Sequence, residues 1–350
     1  MRNPIQISPL LALKYSSERL ELVEADLEHA EDWSSVLDGC DYILHVASPW
    51  PIIADENTVK VAVEGTTNIL KVAAKIPTIK KIVLTSSCSA INDGHKNGSR
   101  IFNEECWTDL QSDAVENYAR SKTIAERTAW DMWHAMDPDN RFQLTVINPS
   151  LVVGPVLSNQ PHGSATIMGR MMSRRDYLAS PKVSIGLVDV RDVARAHITA
   201  MTTPESDGHR ILVTATPCVW FGDITRWLRK EFKSQGYDIT QFVIPNWILR
   251  LYNKTGVDPQ TNAIMHRLGP ELRFNNTKRF GNFLTSFSFQ SKKLLKMEYT
   301  DPQESIIDMM YSMIEHGMVK RTSKFKPPPN PSNKVHCCRI INPRSSSTII

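Results

Sequence analysis

A tyrosine and a lysine at helical spacing are the residues of this chain best suited to chemistry. Tyr118 and Lys122 are four residues apart, so they share one face of a helix. A phenol, with a pKa of about 10, is a poor acid at neutral pH, and a nearby ammonium group lowers that pKa. The pair therefore predicts a proton donor or acceptor for carbonyl and alcohol chemistry.

The spacing alone also fits a surface tyrosine beside a solvated lysine, so the surrounding elements matter. Residues 112–136 have the pattern of a long helix that ends before Pro138. Residues 80–87 form an apolar run typical of a buried strand, and Ser87 lies at its end. Ligands of open parallel sheets bind at the carboxyl ends of strands, which favours a functional role for Ser87 and the pair.

Strands and helices alternate through the first half of the chain. The patterns predict strands at 20–27, 41–48, 80–87 and 143–153, and helices at 28–37, 56–76 and 112–136. Apolar strands joined by helical crossovers predict an α/β protein with a parallel sheet.

The pattern becomes less regular after Pro155. It predicts helices at 191–201, 222–233 and 301–317, a strand at 210–215 and a mixed region over 240–290. We expect the substrate pocket to form from residues 88–110, 156–182 and 240–290. A group of four soft apolar residues suits a lid over this pocket, although ordinary helix packing explains it equally well. The group is Met168, Met171, Met172 and Tyr177.

The positive charge is concentrated at the C-terminus. The net charge is +4, yet seven Lys and Arg residues and no acid follow Glu315, which leaves about −3 for residues 1–319. The isoelectric point therefore gives no reason to expect nucleic-acid binding. The segment 320–350 is rich in proline, serine and basic residues and is predicted to be a disordered tail. Attachment of this tail to nucleic acid or anionic lipid is a minor alternative.

The remaining composition indicates a cytoplasmic protein without a structural metal. No apolar run approaches the roughly 20 residues of a membrane span, and no signal peptide is recognised. The six cysteines include no C-x-x-C pair and are expected to be reduced thiols. Cys337 and Cys338 follow His336, but no second ligand pair exists, so no metal is predicted.

Several ordered motifs resemble the extended short-chain dehydrogenase/reductase family, within its dihydroflavonol-4-reductase-like branch. They are LKYSSERLELVEADL (13–27), DYILHVASP (41–49), VEGTTNIL (63–70), KIVLTSS (81–87), YARSK (118–122), PSLVVGP (149–155) and VDVRDVARAH (188–197). The resemblance covers roughly residues 13–319.

The resemblance implies roles by position. Ser87 would hydrogen-bond the substrate oxygen, Tyr118 would be the general acid, and Lys122 would lower the tyrosine pKa and hold the nicotinamide ribose. Further cofactor contacts would come from Asp26, Leu27, Ala47, Ser48, Pro149, Ser150, Leu151 and Val152. Each of these eight has a structural alternative, such as a helix N-cap for Asp26 or a strand end for Pro149.

One part of the family pattern is missing. The family opens with a strand, a glycine-rich phosphate loop and a helix, but Gly39 is the only glycine before Gly65. The resemblance thus implies a Rossmann-like doubly wound parallel sheet without its first two strands. Strand 41–48 would become an exposed apolar edge. A truncated isoform or an incomplete gene model would explain this, and we expect weak or no dinucleotide binding by this chain alone.

The predicted organisation has three parts. Residues 1–155 form an incomplete dinucleotide-binding part, 156–319 a smaller substrate region interleaved with late Rossmann elements, and 320–350 the basic tail. The expected activity is NADP(H)-dependent oxidoreduction of CH-OH or carbonyl groups on a small ketone, aldehyde or flavonoid-like substrate. NAD is a possible alternative cofactor, and the expected assembly is a monomer or a dimer. The alternatives are a catalytically inactive binding subunit and a steroid or sugar-nucleotide enzyme of the same fold.

Overall fold

The computed structural model describes residues 4–49, 51, 54–95, 100–160, 163–256, 261, 264–274, 279–280, 283–284 and 290–328. The strands of this part are β1 (Tyr42–His45), β2 (Lys81–Thr85), β3 (Ile101–Phe102), β4 (Gln143–Pro149), β5 (Leu151–Val153), β6 (Ser184–Ile185), β7 (Leu187–Asp189), β8 (His209–Val213), β9 (Val219–Trp220), β10 (Arg273–Phe274), β11 (Arg279–Phe280) and β12 (Phe283–Leu284). Its helices are α1 (Pro4–Leu11), α2 (Ser16–Arg19), α3 (Asp32–Val36), α4 (Glu56–Ala73), α5 (Asn117–His134), α6 (Gly163–Arg170), α7 (Val190–Thr202), α8 (Phe221–Phe232), α9 (Asn246–Asn253), α10 (Gln290–Leu294) and α11 (Pro302–Glu315).

A four-stranded parallel sheet has the order β1-β2-β4-β8. This sheet and the helices that cover it, α4, α5 and α7, are called the first unit. Ile82 and Leu84 pack on one face with α4 and α5, whereas Val83 packs on the other face with α7. Apolar side chains on both faces explain why these strands are continuous apolar runs. The predicted α/β class with a parallel sheet is confirmed.

The predicted strand at 20–27 is wrong. Residues 20–26 have no regular structure, and the side chains of Leu20, Leu22 and Val23 are exposed. Alternating apolar positions form a strand only where a neighbouring strand accepts its hydrogen bonds, and no described strand pairs with this segment. The helix predicted at 28–37 is correspondingly short, since α3 covers only Asp32–Val36.

The strand β1 ends the sheet within the described residues, because it pairs only with β2. It is four residues long, shorter than the predicted 41–48, and Val46 beyond it is exposed. The predicted strand 143–153 is divided at Ser150. Its first part stays in the main sheet as β4, and its second part pairs with β7 as β5.

The C-terminal region has its own apolar core. The strand pairs β5–β7 and β6–β9 and the helices α6, α8 and α11 surround it. Met168 and Met171 are fully buried and Met172 is 3% exposed in this core, so core packing, rather than a lid, describes these methionines. The strand β8 and the helix α7 belong to the first unit, so the two regions are interleaved along the chain.

The described start of the predicted tail is packed against this region. The backbone N–H of Lys326 donates to Gln235 Oε1 at 3.1 Å, and the Phe325 ring lies 6.0 Å from that of Tyr311. Disorder is therefore wrong as a description of residues 320–328, while residues 329–350, with Cys337 and Cys338, lie outside the described part. None of the described helices has the length and apolar character to cross a membrane.

Candidate active site

The carboxyl end of β2 and the first turns of α5 form the candidate site. Glu116 has extended backbone angles (φ −77°, ψ 162°), so α5 starts at Asn117 and Tyr118 lies in its first turn. Ser87 is also extended and begins the short 3₁₀ turn Cys88–Ala90, where its Oγ accepts a hydrogen bond from the Ser89 N–H at 3.1 Å. A parallel strand and a helix thus deliver one hydroxyl each to the same edge of the sheet.

The structure brings Ser87 and Tyr118 together. Their side chains share a hydrogen bond, which favours ionisation of the tyrosine. Burial outweighs this bond and raises the pKa of Tyr118 to about 12. Tyr118 is therefore a neutral phenol at neutral pH, and the predicted net lowering of its pKa is wrong for this structure.

Lys122 faces a different set of charges from the predicted one. It is 8% exposed, and burial lowers its pKa to about 8 against the opposing charge of Glu126. Burial first, and then the Lys122 charge, lower the pKa of His45 to about 4. The ammonium group thus acts on Glu126, one turn further along α5, and on His45, which lies at the end of β1.

A small cavity of about 10 Å³ connects Lys122 with two predicted cofactor residues. Its lining includes Ala47 and Ser48 after β1, Thr85 and Ser86 at the end of β2, and Lys122 on α5. Ala47 is exposed and Ser48 half-buried, so this cavity opens beside β1. The hydroxyl of Ser48 and the ammonium group of Lys122 are suitable donors for ribose oxygens.

The segment from Pro149 to Val152 lies at the carboxyl end of β4, next to Ser87. Asn148 Nδ2 donates to the Ser87 carbonyl at 3.1 Å, and Pro149 closes the strand in a buried position. The Ser150 hydroxyl and Asn148 Oδ1 are buried and find no hydrogen-bond partner among the described residues. Leu151 and Val152 are half-buried in β5. Unpaired buried polar atoms fit a ligand with its own donors and acceptors, as a nicotinamide carboxamide has.

Asp26 and Leu27 lie elsewhere, beside α4. The Asp26 carboxylate accepts a hydrogen bond from the Glu28 N–H at 3.1 Å, and Asn68 Nδ2 donates to the Leu27 carbonyl at 2.9 Å. Neither residue lines the cavity around Lys122. Their contacts are those of a turn anchored to a helix, and their adenine contact stays a prediction.

The residues therefore fit the nicotinamide end of a dinucleotide better than its phosphates. Gly39, the only glycine before Gly65, lies in an exposed turn with no atom within 4 Å of where a Cβ would be. Among the described residues of this region, nothing corresponds to a glycine-lined phosphate cradle.

Three charged residues of the site were missed by sequence reasoning. Glu126 continues the Tyr118–Lys122 face by one turn, so helical periodicity could have found it. Arg267 pairs with Asp93 at 2.8 Å, and the positive charge of Arg267 lowers the pKa of Tyr118 while the negative charge of Asp93 raises it. These two residues are 174 positions apart, and no local pattern indicates their contact.

The fold is of the Rossmann type, with a parallel sheet covered by helices on both faces, and Ser87 and Tyr118 lie at the carboxyl edge of that sheet. The family model described as NAD dependent epimerase/dehydratase family matches residues 5–214, and the chain belongs to that family. The resemblance to its dihydroflavonol-reductase-like members is confirmed.

Two curated relatives illustrate the match. Tetraketide alpha-pyrone reductase 2 of Arabidopsis thaliana is 30% identical over 310 residues, covering 84% of this chain and 90% of the relative. Cinnamoyl-CoA reductase of Medicago truncatula is 32% identical over 239 residues, covering 66% and 71%.

Solved structures agree on the fold. Yeast methylglyoxal/isovaleraldehyde reductase complexed with NADPH has a TM-score of 0.69 at 24% identity, with 91% of both chains covered. Vestitone reductase from alfalfa has a TM-score of 0.65 at 21% identity, with 91% of this chain and 90% of that chain covered.

Proposed function

We propose that this chain is an NADP(H)-dependent oxidoreductase that interconverts a carbonyl group and an alcohol on a small molecule, with Tyr118 as its general acid and base. The observation that carries the proposal is the hydrogen bond between Ser87 and Tyr118 beside a cavity lined by Lys122. Relatives whose names include cinnamoyl-CoA, anthocyanidin and tetraketide alpha-pyrone reductase support a carbonyl or flavonoid-like substrate.

The protein groups supply the proton and hold the oxygen. NADPH, when bound, supplies the hydride to the carbonyl carbon. Tyr118, neutral because burial raises its pKa to about 12, donates its hydroxyl proton to the carbonyl oxygen as negative charge develops there. The Ser87 hydroxyl donates a hydrogen bond to the same oxygen. The reverse reaction uses the same groups, with the tyrosine phenolate accepting the alcohol proton.

The residues toward the cofactor divide into three sets. Lys122 and Ser48 would hold the nicotinamide ribose, and Ala47 would lie along the cofactor path. Pro149, Ser150, Leu151 and Val152 would border the nicotinamide ring. The Ser150 hydroxyl has no hydrogen-bond partner in the described part of the chain, which supports a polar group of the cofactor beside it. Asp26 and Leu27 would lie toward the adenine.

The experiment measures NADPH oxidation by this chain with a panel of cinnamoyl thioesters, flavonoid ketones and simple aldehydes, and repeats it with NADH. Tyr118→Phe should lower kcat by at least about 100-fold because the proton donor is lost. Tyr42→Phe is the matched control. Tyr42 lies at the first residue of β1, at the end of the strand away from the candidate site, so this variant should retain full activity.

The outcomes separate the candidate functions. Turnover that survives in Tyr118→Phe would remove Tyr118 from its role. Absence of turnover together with measurable substrate binding would favour the binding subunit over the enzyme.

A further inference from the structure

A buried carboxylate lies one turn beyond Lys122. Glu126 is 1% exposed and continues the helix face that carries Tyr118 and Lys122. A buried carboxylate is costly unless its oxygens accept hydrogen bonds from several donors. The surroundings of Glu126 meet this requirement through four side chains from four elements or their ends.

The four donors converge on both carboxylate oxygens. Oε2 accepts from the Ser86 hydroxyl at 2.5 Å and from Asn148 Nδ2 at 2.8 Å. Oε1 accepts from Arg210 Nε at 2.5 Å and from Trp130 Nε1 at 3.4 Å. The carboxylate therefore ties α5 to β4, β8 and the residue that follows β2.

Arg210 is itself fixed, which makes the carboxylate an anchored point. Its Nη1 donates to the carbonyls of Glu104 at 2.8 Å and Cys106 at 2.6 Å, and its guanidinium lies 3.6 Å from the centre of the Trp107 ring. Arg210 and Glu126 are both at least nine-tenths buried as side chains.

The anchored carboxylate reaches the proposed catalytic serine through Asn148. The same Nδ2 group donates to Glu126 Oε2 and, at 3.1 Å, to the Ser87 carbonyl. With the Ser86 hydroxyl bonded directly to Oε2, both residues that follow β2 are linked to Glu126. The Ser87 hydroxyl is hydrogen-bonded to Tyr118, so this network fixes the geometry of that pair.

Glu126 also balances the charge of Lys122. Burial lowers the pKa of Lys122 to about 8, and the Glu126 charge opposes that effect. The other groups that face Lys122 are His45 from β1 and, around the same cavity, uncharged Thr66 from α4 and Thr85 and Ser86 from β2. Arg210 lies behind Glu126 on β8.

We propose that Glu126 is a positioning residue of the reaction, which fixes Ser86 and Ser87 through hydrogen bonds and stabilises the Lys122 ammonium ion with its negative charge. The inference rests on the proposed function for the reaction that it serves. Its two effects on the chain itself can be measured without turnover.

The test is the titration of Lys122, followed by NMR of ¹³C-labelled lysine, in the wild type and in Glu126→Gln. The amide keeps the shape and removes the charge, so the pKa of Lys122 should fall from about 8 to about 7 or lower. Ser86→Ala is the matched control, because it removes a hydrogen bond to the same oxygen and keeps the charge. An unchanged Lys122 titration in a folded Glu126→Gln variant would overturn the proposal.

A second variant protects the test against misfolding. Glu126→Gln combined with Arg210→Met removes the buried pair together, a replacement that proteins often tolerate, and should give the same fall in the Lys122 pKa. Where the wild type turns over, the alkaline limb of kcat/KM should move to lower pH by the same amount, and kcat should fall about tenfold. A wild type without turnover would refute the proposed function, while the lysine titration still decides the role of Glu126.

Discussion

Replacing His45 with glutamine should remove an acid sensitivity from this protein. His45 is 4% exposed at the end of β1, and burial together with the Lys122 charge lowers its pKa to about 4. In the unfolded chain the same imidazole has a pKa of about 6.5. Between pH 6.5 and pH 4, the imidazole is therefore protonated in the unfolded state and neutral in the folded state. The free energy of unfolding of the wild type falls as the pH falls through this range.

The size of this effect follows from the two pKa values. Each pKa unit corresponds to about 1.4 kcal/mol, so the loss is about 2 kcal/mol at pH 5 and about 3 kcal/mol at pH 4. Glutamine does not titrate. The free energies of unfolding of His45→Gln and the wild type therefore differ by a constant amount between pH 7 and 8. Below pH 7, the wild type becomes less stable relative to His45→Gln.

Urea unfolding of both proteins at pH 8, 7, 6 and 5 measures the difference. Leu84→Met is the matched control, because Leu84 lines the same cavity and its replacement should change the stability by less than about 1.5 kcal/mol at every pH. Plots of unfolding free energy against pH that stay parallel for the wild type and His45→Gln down to pH 5 would show that the pKa of His45 is the same in the folded and unfolded states. Burial and the Lys122 charge would then not lower the pKa of His45 in the folded protein.

Three further substitutions test the packing around the site. In Gly65→Ala, the new Cβ would lie 2.9 Å from Leu27 Cβ, so the free energy of urea unfolding should fall by about 1 to 3 kcal/mol. NADPH affinity should fall as well, and an unchanged affinity would count against an adenine contact by Leu27. In Gly94→Ala, the backbone has φ +83° and the new Cβ would lie 2.6 Å from the Asp109 carbonyl oxygen. The free energy of unfolding should therefore fall by more than about 2 kcal/mol, and kcat should fall because the Asp93–Arg267 pair moves. A fall in stability below about 0.5 kcal/mol would contradict this strain. In Asp189→Asn, the fully buried partner of Arg191 loses its charge, so urea unfolding should show a loss of about 3 kcal/mol, with kcat retained per folded molecule. Equal stability would mean that the Asp189–Arg191 pair contributes nothing beyond the second bridge of Arg191, to Asp308.

The sequence predicts those parts of the fold that depend on local pattern. The buried strands β2 and β4 are continuous apolar runs, and α4 and α5 have helical periodicity, so their existence follows from the residues themselves. The segment 20–27 has an equally clear alternating pattern and forms no strand, because pairing depends on a neighbour that the pattern does not describe. Likewise, the spacing of Met168 and Met171 fits a lid and a core equally well. Their burial depends on the helices that surround them, which the local sequence does not describe.

The candidate site divides in the same way. Helical spacing places Tyr118 and Lys122 on one face, and the strand end places Ser87 beside them. The pKa of Tyr118 follows from burial, which is a property of the whole fold, and the predicted direction was wrong for that reason. Arg267 and Arg210 reach the site from distant parts of the chain, so their contribution could not be predicted from any local pattern.

We propose that this chain reduces a carbonyl group with Tyr118 as the proton donor. NADPH that carries deuterium at the transferred position of C4 tests this reaction, with the product analysed by mass spectrometry. We predict an alcohol one mass unit heavier from the wild type and from Tyr42→Phe, and essentially none from Tyr118→Phe. Unlabelled product, or labelled product at the wild-type rate from Tyr118→Phe, would contradict the claim.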